Sequence, residues 1–476
     1  MSQQRDYKNS FESRQRAALS ALVLLVALVL SCLGAAVAVS KALKGTEMNL
    51  AQAQIGSMIY VAAAYILFAV YMAVYQRDTF DGAKLMTMVC IQLALMPWMQ
   101  VLGNMLEPHV TPMVMAVLLI AELVNHKTAL AAGVLLGLES AVLAGGTEGI
   151  LTTTAAVMMA ANIASCAASV FALKRINTRG GMIAASGIGG AAVTAAIYIA
   201  LGATVREILT YAGCVLFSAL FSGLFVTGSL TIWEELFDIA TPARLNELLN
   251  TGNPLLKQLM YDAPGTYQHC MNVAALAEGA AEKIGANALL AKVGAAYHDV
   301  GKLRRPQYFK ENQQAENIHD TLSPQESASI IIAHQKDGAT ILAKNKLPGA
   351  VVRIAAEHHG NSMMTYFYRK AAETDPNVNP KGFRYPGNKP STREGAIVML
   401  ADCCEAAVRS LGDCTREARE AMVHKIIWGK LTDGENQLSE VPLTLADISS
   451  IEKSFIRTFG GLMHDRIEYP EEAKKE

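Results

Sequence analysis

The chain has 476 residues, 52% of them hydrophobic, and its mean hydropathy of +0.25 is high for a soluble enzyme. A net charge of −1 and a pI of about 6.8 give no case for a nucleic-acid polymer as partner. The apolar residues concentrate in residues 17–232, whereas residues 233–476 carry ordinary numbers of charged side chains. A membrane half is therefore predicted to precede a soluble half.

The first half begins with a polar, basic segment, residues 1–16, which is predicted to be a cytoplasmic tail. The apolar run at 17–40 is too long for the core of a cleaved signal peptide, so it is predicted to be a retained span. Most of the later runs approach the ~20 apolar residues that a membrane helix needs, although the run at 110–124 is short enough to be re-entrant. About eight spans are predicted, the later seven being 55–75, 84–106, 110–124, 128–146, 149–173, 181–202 and 207–231.

The charges between the runs predict the orientation. With a cytoplasmic N-terminus, the outside loops contain only Lys41, Lys44 and Arg206. The inside loops contain Arg77, Lys84, Lys127, Lys174, Arg175 and Arg179. This excess follows the positive-inside rule and predicts a multi-pass protein of the cell membrane, with its soluble half in the cytoplasm.

Helix start and stop signals recur through the soluble half, which is predicted to be all-α. A juxtamembrane helical linker is predicted at 233–262 and the soluble domain at 263–476. Thr266 is a candidate N-cap for the next helix, and a helix at 287–300 is predicted to end at an adjacent His-Asp pair. Capping boxes at Ser323–Glu326 and Ser391–Glu394 predict two further helix starts, and Gly360 stops a helix begun at Pro348.

Seven histidines and aspartates have the spacing of a metal site. A lone helical histidine is more often structural, but the set taken together, in this order, predicts metal ligands. Imidazole and carboxylate suit iron, manganese or zinc, and a pair of such ions favours hydrolysis of a phosphodiester. The central Asp299 is the best candidate to bridge two metals. The predicted ligands are His269, His298, Asp299, His334, His358, His359 and Asp402.

Other side chains are weaker candidates for the same site. Lys302 follows Asp299 by three residues and is predicted to act in catalysis by reaching a phosphate or the leaving oxygen, although helix C-termini also favour lysine. Cys403 and Cys404 follow Asp402, which leaves a soft metal ligand as an alternative. The predicted substrate contacts are Arg305, His319, Tyr366, Tyr368 and Tyr385, with loop packing as the alternative for the tyrosines.

These motifs resemble one known family. The soluble half is similar to the cytoplasmic domain of the seven-transmembrane HD receptor-like proteins, which hydrolyse cyclic di-AMP. The first half is similar by layout rather than by motif. The matching stretches are Ala263–His269, Tyr297–Lys302, Arg305–Asn312, His334–Gly338, Glu357–Gly360, Tyr366–Tyr368, Phe383–Gly387, Ala401-Asp402 and His464–Pro470.

The resemblance implies a specific activity. It implies a cytoplasmic HD domain in which two divalent metal ions, iron or manganese, are held by the seven ligands above. It also implies hydrolysis of cyclic di-AMP to the linear dinucleotide pApA, which would control the level of a second messenger. The Gly-Tyr-Pro signature of relatives that act on cyclic di-GMP is absent, because Gly360-Asn361-Ser362-Met363 follows His359.

One departure from the family concerns sensing. The family usually has a large extracytoplasmic domain after its first span, but here that gap covers only Lys41 to about Gln54. Any sensing is therefore expected to use the membrane bundle.

Several alternatives stay open at this stage. One is a membrane nucleotide receptor that does not hydrolyse its ligand, and another is a transporter with a regulatory HD domain. An HD hydrolase acting on another nucleotide, such as a dNTP or cyclic di-GMP, is a third. The lipid bilayer and a cyclic dinucleotide are the predicted partners, and assembly into a homo-oligomer is left open.

Overall fold

The structure is a computed structural model that describes residues 2–43, 49–144, 153–175, 179–313, 317–411, 415–432 and 435–462. It divides into two compact units, Met1–Ile239 and Ala240–Glu476. The described residues form helices and no strand, which confirms the all-α prediction. The motif at His464–Pro470 lies outside the described residues.

The first unit is a bundle of long apolar helices. Asn49 caps the second helix, and a capping box of Thr204 with Glu207 opens the last. The helices are α1 (Ser2–Ala42), α2 (Leu50–Tyr75), α3 (Arg77–Phe80), α4 (Ala83–Gly103), α5 (Met113–Leu123), α6 (His126–Ala144), α7 (Thr153–Arg175), α8 (Arg179–Ala200) and α9 (Val205–Phe237).

Helices lie at all eight positions where spans were predicted. Six are long and apolar enough to cross a membrane, and among the described residues Met113–Leu123 and Gly187–Ala200 are shorter apolar helices. The protein is therefore a multi-pass membrane protein, and eight full crossings stay a prediction. The short helix α5 is buried at ten of its eleven residues, so it packs inside the bundle rather than against lipid.

Small residues bring α7 and α8 together. A Cβ on Gly190 would lie 2.5 Å from Oγ of Ser165, and one on Gly189 would lie 3.0 Å from Cβ of Ala168. Side chains larger than hydrogen at these positions would separate the two backbones.

The second unit is a compact helical domain. Its helices are α10 (Pro242–Leu248), α11 (Pro254–Asp262), α12 (Pro264–Lys283), α13 (Ala288–Tyr297), α14 (Pro324–Lys344), α15 (Gly349–Glu357), α16 (Thr365–Thr374), α17 (Arg393–Arg409), α18 (Arg416–Thr432) and α19 (Leu445–Leu462). Leu245, Leu255 and Leu256 of α10 and α11 are buried in its main core. This part of the predicted linker therefore belongs to the domain.

The predicted helix ends agree with the structure except at two N-termini. The capping box of Ser323 and Glu326 is confirmed. Thr266 is not an N-cap, because α12 begins at Pro264 and Asn312, from a later segment, accepts the backbone N–H of Thr266. Ser391 is not the cap of α17 either, since Thr392 has that role.

A tertiary contact explains why α17 is capped by Thr392 and not by the predicted Ser391. Ser391 donates both its backbone N–H and its hydroxyl to the buried carboxylate of Glu357. Its hydroxyl is thus engaged by a residue far away in the sequence, and the cap moves to the next residue. Local capping rules cannot anticipate such a contact.

A glycine sets the distance between the His-Asp pair and α14. A Cβ on Gly301 would collide with the carbonyl oxygen of His334 and would lie 2.5 Å from the backbone nitrogen of Gly338. The segment after Asp299 can therefore approach α14 closely only because residue 301 has no side chain.

Replacing Gly301 with alanine is expected to lower the free energy of unfolding of the second unit by about 1–3 kcal/mol, the usual cost of overpacking. Thermal or chemical denaturation measures the change. Gly429→Ala is the matched control, because a Cβ there meets nothing within 4 Å and the residue lies inside α18. Equal stability of G301A and the wild type would contradict the close approach.

Candidate metal centre

The seven predicted ligands come from helices or from the residues that follow them. His269 lies in α12, His334 in α14 and Asp402 in α17. His298 is the C-cap of α13 and is followed by Asp299, and His358 is the C-cap of α15. All seven belong to three overlapping groups whose ligand atoms lie within 4.8 Å of one another.

The Asp299 carboxylate lies between two sets of histidines. Its Oδ1 is 3.2 Å from Nε2 of His334 and 3.7 Å from Nε2 of His358. Its Oδ2 is 3.3 Å from Nε2 of His298 and 3.5 Å from Nε2 of His269. One carboxylate oxygen therefore faces each set, which is the arrangement that a bridging carboxylate requires.

Asp402 closes the site from α17. Its Oδ1 is 3.0 Å from Nε2 of His269 and 3.8 Å from Nε2 of His298. Its Oδ2 is 3.6 Å from Nδ1 of His359. Asp402 therefore supplies a second carboxylate to the same cluster.

Backbone carbonyls fix the orientation of three histidine rings. Nδ1 of His298 donates to the carbonyl of Ala295 over 2.7 Å, and Nδ1 of His358 donates to that of Ala355 over 2.7 Å. Nδ1 of His334 donates in the same way to the carbonyl of Ile331, over 2.5 Å. In a neutral imidazole this places the proton on Nδ1 and leaves the Nε2 lone pair directed into the site.

The inward lone pairs suit a bound cation. Nε2 of His334 and Nε2 of His358 are 3.2 Å apart, and neither carries a proton in the tautomers fixed above. Nε2 of His298 and Oδ1 of Asp299 are buried without a hydrogen-bond partner in the described part of the chain. Buried acceptors facing one another are unfavourable by themselves but form a good ligand set, so the cluster fits a divalent metal site.

The surroundings favour the ligand forms of two of these groups. Burial lowers the pKa of His358 to about 3, which keeps its ring neutral. Burial alone would raise the pKa of Asp299, but the ammonium group of Lys302 beside it outweighs burial and holds that pKa well below its usual value. A neutral imidazole and an ionised carboxylate are the forms that bind metals.

His269 differs from the other three rings because its Nδ1 faces a carboxylate. Glu405, one turn after Asp402 on α17, places Oε2 2.5 Å from Nδ1 of His269. Asn272 donates to the other oxygen of Glu405 over 3.2 Å, and Arg409 lies 3.7 Å from Oε2. Glu405 was not among the predicted site residues, although its spacing of three residues from Asp402 on one helix face was an available signal.

Lys302 lies beside Asp299. Its Nζ is 2.7 Å from Oδ2 of Asp299 and 2.6 Å from Oε1 of Glu311, and it lies 5.0 Å from the centre of the Phe309 ring. Burial alone would lower the pKa of Lys302, but these two carboxylates outweigh it and raise that pKa above its usual value. The lysine is therefore a permanent cation at the edge of the site.

The five predicted substrate contacts are spread more widely. The ring of Tyr385 is buried and lies 4.3 Å from the ring of His359, so it borders the site directly. The buried His319 bonds through Nε2 to the carbonyl of Tyr308, and Tyr368 packs against Phe383. The described contacts of Tyr366 and Arg305 reach none of the seven ligands, and both side chains are exposed. Their substrate roles stay predictions.

The two cysteines after Asp402 are not part of the cluster. None of the metal-site groups found among the described residues includes Cys403 or Cys404. Burial raises the pKa of Cys403 to about 11.

Two family models match the chain. Residues 266–407 match the HD domain, and residues 51–241 match the model described as a 7TM receptor with intracellular HD hydrolase. The chain belongs to the 7TM-HD family. Apart from Leu50, the first residue of α2, the second match contains seven of the apolar helices, α2 and α4 to α9. All seven candidate ligands lie within the first match.

Two bacterial proteins are similar to about half of the chain. The chain is 48% identical over 255 residues to the cyclic-di-AMP phosphodiesterase PgpH of Bacillus subtilis, a match covering 53% of this chain and 36% of that protein. It is 46% identical over 253 residues to PgpH of Listeria monocytogenes, covering 52% and 35%. The chain thus spans about a third of the length of the curated relatives it matches.

A solved structure is also similar. It is the crystal structure of the L. monocytogenes PgpH HD domain in complex with cyclic-di-AMP, at 47% identity with a TM-score of 0.43, covering 46% of this chain and 100% of the solved one.

Removing the charge of Glu405 is expected to weaken metal binding. In Glu405→Gln the His269 ring loses a charged acceptor, and loss of such a partner typically lowers metal affinity by about 10–100-fold. Titration of the metal-free protein with Mn²⁺, followed by metal analysis of the desalted protein, measures the change.

Glu357→Gln is the matched control for this test. Glu357 is also a buried carboxylate, but it holds Ser391 rather than a histidine. A loss of metal equal in the two variants would show that Glu405 acts only through general stability.

Proposed function

We propose that the protein is a membrane-anchored, metal-dependent phosphodiesterase that hydrolyses cyclic di-AMP to pApA. One observation carries the proposal: a buried carboxylate, Asp299, lies between two sets of histidines whose Nε2 atoms face it. That arrangement suits two metal ions, and the relatives named above supply the substrate. Such an enzyme would lower the cytosolic level of a second messenger.

Asp299 would bridge two divalent ions, which we propose to be iron or manganese. His334, His358 and His359 would hold one of them, and His269 and His298 would hold the other. Asp402 would complete the set. When bound, such ions neutralise the charge of the phosphoryl oxygens and make water a stronger nucleophile. The preference for iron or manganese rests on the imidazole and carboxylate donors and on the family resemblance.

Lys302 would bind the phosphate group of the substrate. Asp299 and Lys302 hold each other in place, and Lys302 has three N–H donors, of which Asp299 and Glu311 engage two. The third is available to a phosphoryl oxygen or to the leaving 3′ oxygen. Addition of one water across one P–O bond opens the ring, leaving a 5′-phosphate on one nucleotide and a 3′-hydroxyl on the other.

The membrane half would act as the anchor and place the enzyme at the inner face of the membrane. The excess of Lys and Arg in alternate loops supports a cytoplasmic N-terminus. An even number of spans then returns the second unit to the cytoplasm, where a cyclic dinucleotide is found. The membrane bundle, rather than an extracytoplasmic domain, would receive any signal.

Other functions remain testable alternatives. A receptor that binds cyclic di-AMP without hydrolysis needs no metal ligands, so the complete ligand cluster disfavours it. A hydrolase for another nucleotide would use the same metal centre, and only the relatives distinguish between the two.

Hydrolysis can be tested with the full chain in detergent, loaded with Mn²⁺ or Fe²⁺ under reducing conditions. Chromatography should show conversion of cyclic di-AMP to pApA and at most slow conversion of cyclic di-GMP. Asp299→Ala should abolish turnover, because both sets of histidines lose their common carboxylate. Tight binding of cyclic di-AMP with no turnover in any metal would contradict hydrolysis and indicate a receptor. Turnover of another nucleotide alone would show that cyclic di-AMP is not the substrate.

Lys302 is expected to contribute to the rate. Lys302→Met should lower kcat by about a hundredfold, as loss of a charged donor near a developing oxyanion does in other enzymes. Lys310→Ala is the control, because Lys310 is an exposed lysine near the same cleft. Metal content of each variant is measured in parallel. An unchanged kcat in K302M with full metal content would contradict this role.

A further inference from the structure

A groove runs between α2 and α6 of the membrane unit. Its volume is about 390 Å³, and four side chains of α2 and six of α6 line it. From Lys127 to Leu138 the groove follows eleven steps of α6, which is about 16 Å at the rise of an α-helix. The lining residues are Ala64, Leu67, Phe68, Tyr71, Lys127, Leu130, Ala131, Val134, Leu135 and Leu138.

Small side chains give the groove its depth. Ala64 and Ala131 lie among larger apolar residues, so the two helices leave a channel where they pass each other. Leu67 is 67% exposed and Val134 is 46% exposed, which shows that the groove opens to the outside of the unit. In a multi-pass membrane protein that surface faces the acyl chains.

The two ends of the groove differ in chemistry. At one end lie the ammonium group of Lys127 and the phenol of Tyr71, and at the other end the lining is aliphatic, with Ala64 and Leu138. Lys127 is exposed and forms no ion pair with any residue in the described part of the chain. Tyrosine and lysine are the residues that mark the membrane–water interface.

The polar end of the groove lies where other cations gather. Asn125 donates to the hydroxyl of Thr79 over 3.2 Å, which brings the turn before α6 against α3. Lys84, in the first turn of α4, and Lys127 therefore lie at the same end of the bundle. By the positive-inside rule this is the end predicted to face the cytoplasm, where anionic lipids meet basic residues.

We infer that this groove binds one anionic phospholipid, with an acyl chain between α2 and α6 and the headgroup phosphate at Lys127. The apolar length accommodates the chain, and the single unpaired cation at its interfacial end complements the phosphate. A zwitterionic lipid fills the apolar part equally well, but its headgroup carries a cation that Lys127 repels. The site is independent of the proposed hydrolysis.

Native mass spectrometry of the full chain tests the site. The protein is taken from mixed micelles that contain equal amounts of phosphatidylglycerol and phosphatidylcholine. The wild type should retain one phosphatidylglycerol in preference to phosphatidylcholine. Lys127→Ala should lower that preference about fivefold, the effect of one charge near the membrane surface.

Two further variants separate the groove from a general effect of charge. Lys84→Ala removes a cation from the same end of the bundle that is not a lining residue, and should leave the preference unchanged. Val134→Trp fills the groove and should reduce retention of both lipids. The inference is overturned if the wild type retains the two lipids equally or retains neither. It is also overturned if K84A matches K127A, or if V134W retains as much lipid as the wild type.

Discussion

The placement of one ionised carboxylate in a buried site governs the second unit. Asp299 is 2% exposed, and an unpaired charge at that depth would be strongly destabilising. The ammonium group of Lys302 compensates the charge of Asp299 on one side. On its other sides, the histidine nitrogens form groups that could bind metal cations. Gly301, between Asp299 and Lys302, permits the close approach to α14 that brings His334 to the same carboxylate. The metal centre and the packing of the domain are therefore one arrangement.

Helix ends position two of the candidate metal ligands. His298 and His358 are the C-caps of α13 and α15. In each, Nδ1 donates a hydrogen bond to the backbone carbonyl three residues before it. The bond satisfies one of the terminal carbonyls of the helix and orients the ring as well. Since the same local contact serves helix and site, little further ordering is needed when a metal binds.

Much of this architecture could be predicted from the sequence because its signals are local. Apolar runs gave the helices of the membrane unit, and the stop at Gly360, with a φ of +57°, marked the end of a ligand-bearing helix. The predicted histidines lie together in the structure, as expected from their order in the chain and from their positions in successive helices. Features set by tertiary contacts escaped prediction. Glu405 has no motif of its own, and the cap of α17 depends on Glu357, 35 residues before Thr392.

The carboxylate of Glu405 at Nδ1 of His269 makes the two sides of the site unequal. His298, His334 and His358 donate to neutral carbonyls, whereas His269 donates to a buried anion that Asn272 and Arg409 hold in place. A charged acceptor makes an imidazole a stronger donor to a metal than a carbonyl does. If the site holds two ions as proposed, this contact would strengthen binding at the position beside His269 and His298. The other side of the site, with His334, His358 and His359, is bordered instead by the aromatic ring of Tyr385.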